Sequence, residues 1–171
     1  MPVHAEKRVL PYSARQLFDL VADVEKYPEF LPWCLAARLL DRNGNVLQWQ
    51  LKIGFKMFRE SFTSEVTLTP PDDGAVELGG EALPPGTGCI DVVYINGPLR
   101  HLRNHWVFLP ADGGAEINFH LEFEFHSRLL ERLIGTLFNE VVRHMVTAFE
   151  TRAGVIYGPC DDGASSPDLA S

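Results

Sequence analysis

The sequence predicts an α+β fold: an antiparallel sheet of about seven strands with one long C-terminal helix packed on one face, and two short helices after the first strand. Three observations predict it. Residues 115–126, "AEINFHLEFEFH", alternate strictly. Ile117, Phe119, Leu121, Phe123 and Phe125 are apolar and every even position from Glu116 to His126 is polar, the period of a half-buried strand. Further runs of this kind fill the middle of the chain. Residues 127–153 then switch to helical spacing, with Leu130, Ile134, Leu137, Val141, Met145 and Ala148 three or four apart.

The elements follow in order. Residues 3–10 read as the first strand. Ser13 suits the N-cap of "ARQLFDLVADV", in which Leu17, Leu20, Val21 and Val24 recur at helical spacing. Pro28 and Pro32 interrupt "YPEFLPW", which predicts a short helix or turn and then a loop. "CLAARLLDR" and "VLQWQLKIGF" flank Asn43-Gly44-Asn45 and read as a hairpin, the second run placing Leu47, Trp49, Leu51, Ile53 and Phe55 on one side. In "FRESFTSEVTL", Phe58, Phe62, Val66 and Leu68 share a face with Glu60 and Ser64. The proline- and glycine-rich stretch 70–88 reads as a long surface loop with room for a short piece of structure inside it. "CIDVVYI" is a strand ended by Gly97-Pro98. "HLRNHWVFL" and residues 115–126 form the last two strands, joined at "ADGGA".

In the C-terminal helix Leu133, Phe138, Val142 and Phe149 widen the apolar stripe. Glu131, Arg132, Glu140, Arg143 and His144 exclude a membrane-spanning reading, and Gly135 costs up to about 1 kcal/mol against alanine. One domain is expected over residues 1–157, with a disordered tail over 158–171.

Composition excludes some functions. The net charge of −8 argues against a general electrostatic footprint on nucleic acid, so DNA is not an expected partner. Cys34, Cys89 and Cys160 have no metal or redox spacing and read as reduced thiols. The first residues lack a long apolar run, which favours a cytoplasmic protein, peripheral at most to the inner membrane. The sequence carries no phosphate loop, dinucleotide fingerprint or nucleophile triad.

The geometry of the predicted elements implies a cavity. Five apolar side chains on the strand 115–126 represent roughly 7–15 kcal/mol of gross burial, so this face must be covered. About seven strands at roughly 4.8 Å make a sheet close to 29 Å wide, whereas a helix is about 10–12 Å across. One helix cannot roof such a sheet: either the sheet curls tightly around it, with the short N-terminal helices filling the rest, or an aromatic-lined space remains for an apolar ligand, the outcome expected of a curled sheet that holds a helix. Three strands add aromatics to it: Trp49 and Phe55; Phe58 and Phe62; Phe119, Phe123 and Phe125.

Candidates for chemistry are few. Glu60 lies on the apolar face of its strand, as a buried general acid or base, or as a partner of arginine at a rim. Arg59, Arg100 and Arg103 are candidates to meet a polar ligand head. His101 and His105 lack the glutamate of a zinc-protease pattern. Tyr27, Phe30, Leu31 and Trp33 cluster between prolines, either as an exposed membrane-touching element or as a buried staple.

Four segments resemble the coenzyme Q-binding branch of the START-like, or polyketide cyclase, superfamily: "LFDLVADVEKYPEFLPWC", "GFKMFRESFTSEVTL", "NGPLRHLRNHWVF" and "FEFHSRLLERLIGTLFNEVVRHMVTAFETRA". The resemblance implies the helix-grip fold, a curved sheet wrapped around the C-terminal helix. It also implies non-catalytic binding and delivery of ubiquinone or a similar polyprenyl lipid in respiratory electron transport or quinone biosynthesis. Ubiquinone enters as bound ligand, with no cofactor or metal and with transient membrane contact. The superfamily's alternatives are an aromatase/cyclase and a toxin whose partner is the ribosome. The expected ligand-binding set is Phe30, Leu31, Trp33, Phe55, Phe58, Phe62, Trp106, Phe108, Phe119, Phe123, Leu133, Leu137 and Val141. A tail is expected against Phe62, Phe123 and Leu137, and a head near Trp33 and Arg100. Residues 72–88 are longer than the family pattern requires.

Overall fold

A computed structural model describes residues 3–55, 58–71, 76–78 and 81–158. The chain runs β1 (Val3–Leu10), α1 (Ala14–Ala22), a 3₁₀ helix (Val24–Glu29), β2 (Cys34–Asn43), β3 (Val46–Phe55), β4 (Phe58–Thr69), β5 (Val76–Leu78), β6 (Glu81–Leu83), β7 (Gly88–Asn96), β8 (Leu99–Ala111), β9 (Gly114–Phe125), α2 (Arg128–Arg143) and α3 (Met145–Tyr157). Seven strands form one sheet in the order β1-β9-β8-β7-β4-β3-β2, every pair antiparallel. It curves around the C-terminal helices, as expected of the helix-grip arrangement. β5 and β6 pair with each other, so the predicted loop 70–88 holds a small hairpin.

Local chemistry explains the elements that matter for the cavity. Ser13 and Gln16 close a capping box: the Gln16 amide donates to Ser13 Oγ and the Ser13 amide donates to Gln16 Oε1, both at 3.0 Å. α1 then buries Leu17, Phe18, Leu20 and Val21. In β9 burial alternates along the whole strand, the odd positions Ile117 to Phe125 facing the helices. Gly44, at φ +63°, turns β2 into β3. A side chain at Gly114 would place its Cβ 1.9 Å from the Leu10 carbonyl oxygen, so only glycine lets β9 start beside the end of β1. Edge strand β2 carries register shifts between Cys34 and Ala36 and between Leu39 and Asp41.

The predicted single C-terminal helix is two helices. The break falls at His144, where φ −106° and ψ 10° leave the helical region. The His144 ring donates from Nδ1 to the Glu140 carbonyl at 3.1 Å, and its backbone amide is shared between the carbonyls of Glu140 and Val141 at 3.3 and 3.2 Å. A side chain that competes for the helix's own acceptors favours a tightened, irregular turn. The two halves also pack differently. α3 buries Val146, Phe149 and Ala153 and is tied to β1 by Arg8, which donates to Glu150 Oε1 at 2.8 Å. α2 lies against the end of β9, where Phe138 meets Phe123 at 4.6 Å and Phe125 at 5.4 Å between ring centres.

The loop "YPEFLPW" is a staple. Leu31 is buried, the Tyr27 hydroxyl donates to the Val21 carbonyl, and Tyr27 and Phe30 pack edge-on to Phe149 at 5.3 and 5.2 Å. The Arg152 guanidinium lies 5.0 Å from the Phe30 ring centre and donates to Glu29 Oε1 at 2.7 Å. Cys34 and Cys89 are free buried thiols, while Cys160 and the expected tail beyond Gly158 lie outside the described residues. Among the described residues, no helix is long and apolar enough to cross a membrane.

Candidate functional site

The space between the sheet and the helices is not filled. A cavity of about 110 Å³ lies there, a narrow slot. Its floor is Trp49, Leu51 and Ile53 of β3, Phe62, Ser64 and Val66 of β4, Ile90 and Val92 of β7, Leu102, Asn104 and Trp106 of β8, and Phe119, Leu121 and Phe125 of β9. Phe138, Val141 and Val142 of α2 and Met145 and Phe149 form the roof; Val21, Val24, Tyr27 and Trp33 close one side. Trp33, Phe62, Pro98, Phe138, Val141 and Met145 are only partly buried, as are Tyr27, Val92 and Asn104.

No Asp, Glu, His, Lys or Arg lines the slot among the described residues. Ser64 and Asn104 supply hydroxyl and amide groups to it, beside the indole N–H groups of Trp33 and Trp49, with the Tyr27 hydroxyl already spent on Val21. Burial raises the Tyr27 phenol above its ordinary range. Asn104 is fixed from two sides: its Oδ1 accepts from Trp106 Nε1 at 2.8 Å and its Nδ2 donates to the His120 carbonyl at 2.9 Å. An indole only donates and a carbonyl only accepts, so this assignment of the amide is unambiguous. One amide N–H of Asn104 is left over. Trp106 in turn is held by Phe108, Phe119 and Phe149 at ring distances of 5.9, 4.6 and 5.3 Å.

Of the residues expected at a ligand, Trp33, Phe62, Trp106, Phe119 and Val141 line the slot. Phe108 and Phe123 are buried outside it, Phe108 under Phe18 of α1 at 6.1 Å and Phe123 under Phe138. Leu31 and Phe30 belong to the staple, and Leu137 packs on the core beside the slot without lining it. Leu133 faces away, 67% exposed. The side chains of Phe55 and Phe58 lie outside the described residues. Phe123 and Leu137, expected against the tail, are not among the side chains that line the slot. Arg100 sits in a separate polar cleft with Arg128 and Arg132.

Other liners were within reach of the sequence. Leu51 and Ile53 share the alternating face of Trp49, which the sequence already places at the space. Met145 and Phe149 belong to the helical stripe. Asn104 interrupts the inward series Leu102, Trp106, Phe108, and a polar residue in an apolar register was its signal.

The remaining candidates lie elsewhere. Glu60 is exposed and does not line the slot, which removes the proposed internal acid or base. Arg59 is exposed, and Arg103 meets Asp91 at 3.5 Å on the outer side of the sheet. His105 also faces Asp91, at 3.2 Å. His101 and His120 flank Glu122 at 2.9 and 3.2 Å, and their hydrogen bonds hold its carboxyl below the usual range. Among the described residues no three His, Cys, Asp or Glu side chains are grouped to hold a metal ion. Burial pushes the Cys34 thiol up to about 11.

Residues 10–150 match the family described as polyketide cyclase / dehydrase and lipid transport. The chain is 38% identical over 146 residues to the ribosome association toxin RatA of Rickettsia prowazekii, covering 85% of this chain and 92% of that protein. It is 34% identical over 160 residues to the mitochondrial coenzyme Q-binding protein COQ10 homolog B of Xenopus laevis, covering 91% of this chain and 59% of that longer protein. Among solved structures, an 18 kDa protein from Caulobacter crescentus superposes with a TM-score of 0.65 at 31% identity, over 93% of this chain and all of that one. The Zhui aromatase/cyclase from Streptomyces has a TM-score of 0.67 at 14% identity, over 89% of this chain and 93% of that one, a likeness of fold alone.

Proposed function

The chain belongs to the polyketide cyclase / dehydrase and lipid transport family, and from that we propose that it binds a polyprenyl lipid of the ubiquinone type and delivers it without altering it. The observation that carries this reading is the slot itself. It is lined by aromatic and aliphatic side chains, holds no ionisable acid–base pair among the described residues, and is narrow enough to favour a flat ring or an extended run of isoprene units. A quinone has two carbonyl acceptors and no donor. The spare N–H of Asn104 and the Ser64 hydroxyl, on strands either side of β7, are donors of the matching kind. In this arrangement the ring lies over Asn104 and the tail leaves past Phe62 and Val141. The relative that is named as a coenzyme Q-binding protein favours a quinone among polyprenyl lipids.

Organic extraction of the purified protein followed by mass spectrometry tests the reading directly. Recovery of a quinone, or saturable quenching of tryptophan fluorescence on adding ubiquinone, is expected. Protein that extracts clean and takes up no ubiquinone would falsify it.

A second reading, action on ribosomes, is favoured by the relatives named ribosome association toxins. Its natural surface is the cleft holding Arg100, Arg128 and Arg132. Co-sedimentation with ribosomal subunits, abolished by Arg128→Gln with Arg132→Gln, decides for it.

A further inference from the structure

One row of α2 changes environment along its length. Leu129, Leu133, Leu137 and Val141 are four residues apart and form a single ridge of α2, and Met145 opens α3 just beyond the break. Val141 and Met145 line the slot. Leu137 packs half-buried beside it. Leu133 and Leu129 stand 67% and 65% exposed among the described residues. The ridge is thus an apolar track from open water into the cavity.

The flank beside the two exposed leucines is basic. Arg128 and Arg132 are exposed and form no ion pair among the described residues. With Arg100 they line a polar cleft at the start of α2 that also contains Glu124 and Glu131, three positive charges against two negative. The chain as a whole carries −8, so this end runs against the general sign. Apolar side chains held next to unpaired arginines fit a surface that is greasy inside and anionic at its rim.

We infer that the first half of α2 docks on an anionic lipid bilayer. Leu129 and Leu133 enter the acyl boundary, Arg128 and Arg132 meet lipid phosphates, and the row through Leu137 leads cargo to the slot. This inference rests on the lipid-carrier reading for its purpose and on the exposed leucines and arginines for its geometry.

The test uses the full chain and vesicles of phosphatidylcholine, alone or mixed with phosphatidylglycerol. The unaltered protein is expected to float with mixed vesicles and less with phosphatidylcholine alone, and high salt should weaken the binding. Leu129→Glu should lower binding to mixed vesicles about tenfold or more, since it puts a charge into the acyl boundary. Arg128→Gln with Arg132→Gln should bring binding to mixed vesicles down to the phosphatidylcholine level and remove the salt dependence. In Leu129→Glu, ubiquinone uptake from vesicles should slow by the same factor while uptake from dilute ethanolic solution is unchanged.

The docking surface is overturned if the unaltered protein ignores vesicles, if both variants bind as it does, or if Leu129→Glu instead dissolves a dimer. It is also overturned if the arginines serve ribosomal subunits and no bilayer. Uptake from solution without vesicle binding sinks the docking surface and leaves the carrier reading intact. Leucine- and arginine-dependent vesicle binding without uptake by any route retains the surface and sinks the carrier reading.

Discussion

The indole of Trp106 donates to the side-chain oxygen of Asn104, two residues earlier on β8, at 2.8 Å, and both side chains face the slot. Trp106 is 3% exposed, so its N–H has no water to fall back on. Asn104→Leu leaves that donor unpaired at a cost of about 1–3 kcal/mol. The variant is expected to unfold at lower denaturant, with altered tryptophan emission. It should also bind ubiquinone more weakly than Asn104→Gln, which keeps an amide. Denaturation curves and quenching titrations measure the two effects separately.

Gly135→Ala is expected to stabilise the fold by up to about 1 kcal/mol. A Cβ there would meet Glu131 Cγ at 3.5 Å and a Phe125 ring atom at 4.0 Å, both ordinary contacts. A fall in the denaturation midpoint would show that the backbone at this point of α2 is less regular than its helical hydrogen bonding indicates.

Cys34 is expected to be inert at neutral pH. It is 2% exposed, and its thiol, pushed up to about 11, stays protonated. Iodoacetamide should label it only as the protein unfolds, so peptide mass spectrometry of the labelled site follows unfolding. Rapid labelling of Cys34 in native protein would contradict the burial of the staple.

Glu122 makes stability fall in acid. Folding lowers its carboxyl value through hydrogen bonds from His101 and His120, so the contribution is complete above the unfolded carboxylate range, about pH 4.3. It is lost as pH falls through the lower folded value. Glu122→Gln should therefore lose less stability than the unaltered chain between about pH 5 and pH 3. Parallel acid-unfolding curves would refute this role.

Much of the architecture was legible because period-two alternation is a direct image of a sheet with one buried face, and β9 and β3 carry it over their whole lengths. The helix break was not legible. The spacing from Val141 to Met145 stays regular across His144, and apolar periodicity carries no record of which carbonyl a histidine ring will take. The cavity was legible as a need for space, but its outline was only partly so. Phe119 and Phe123 occupy equivalent positions on one strand, yet Phe119 borders the slot while Phe123 is capped by Phe138. That difference is decided by where α2 crosses the end of β9. The aliphatic floor of Leu51 and Ile53 was passed over for the phenylalanine beyond it on the same face, although a narrow slot is lined as well by branched chains as by rings.

The two register shifts in β2 bear on how this molecule meets its own kind. An open sheet ends in rims whose amides and carbonyls invite another chain to zip alongside. On this rim Leu35, Leu39 and Leu40 are each 40–42% exposed, a tempting run for such a partner. A straight newcomer would fall out of step between Cys34 and Ala36 and again between Leu39 and Asp41. What looks like a flaw in the pleating is thus a brake on fibre growth, one that leaves the greasy edge in place.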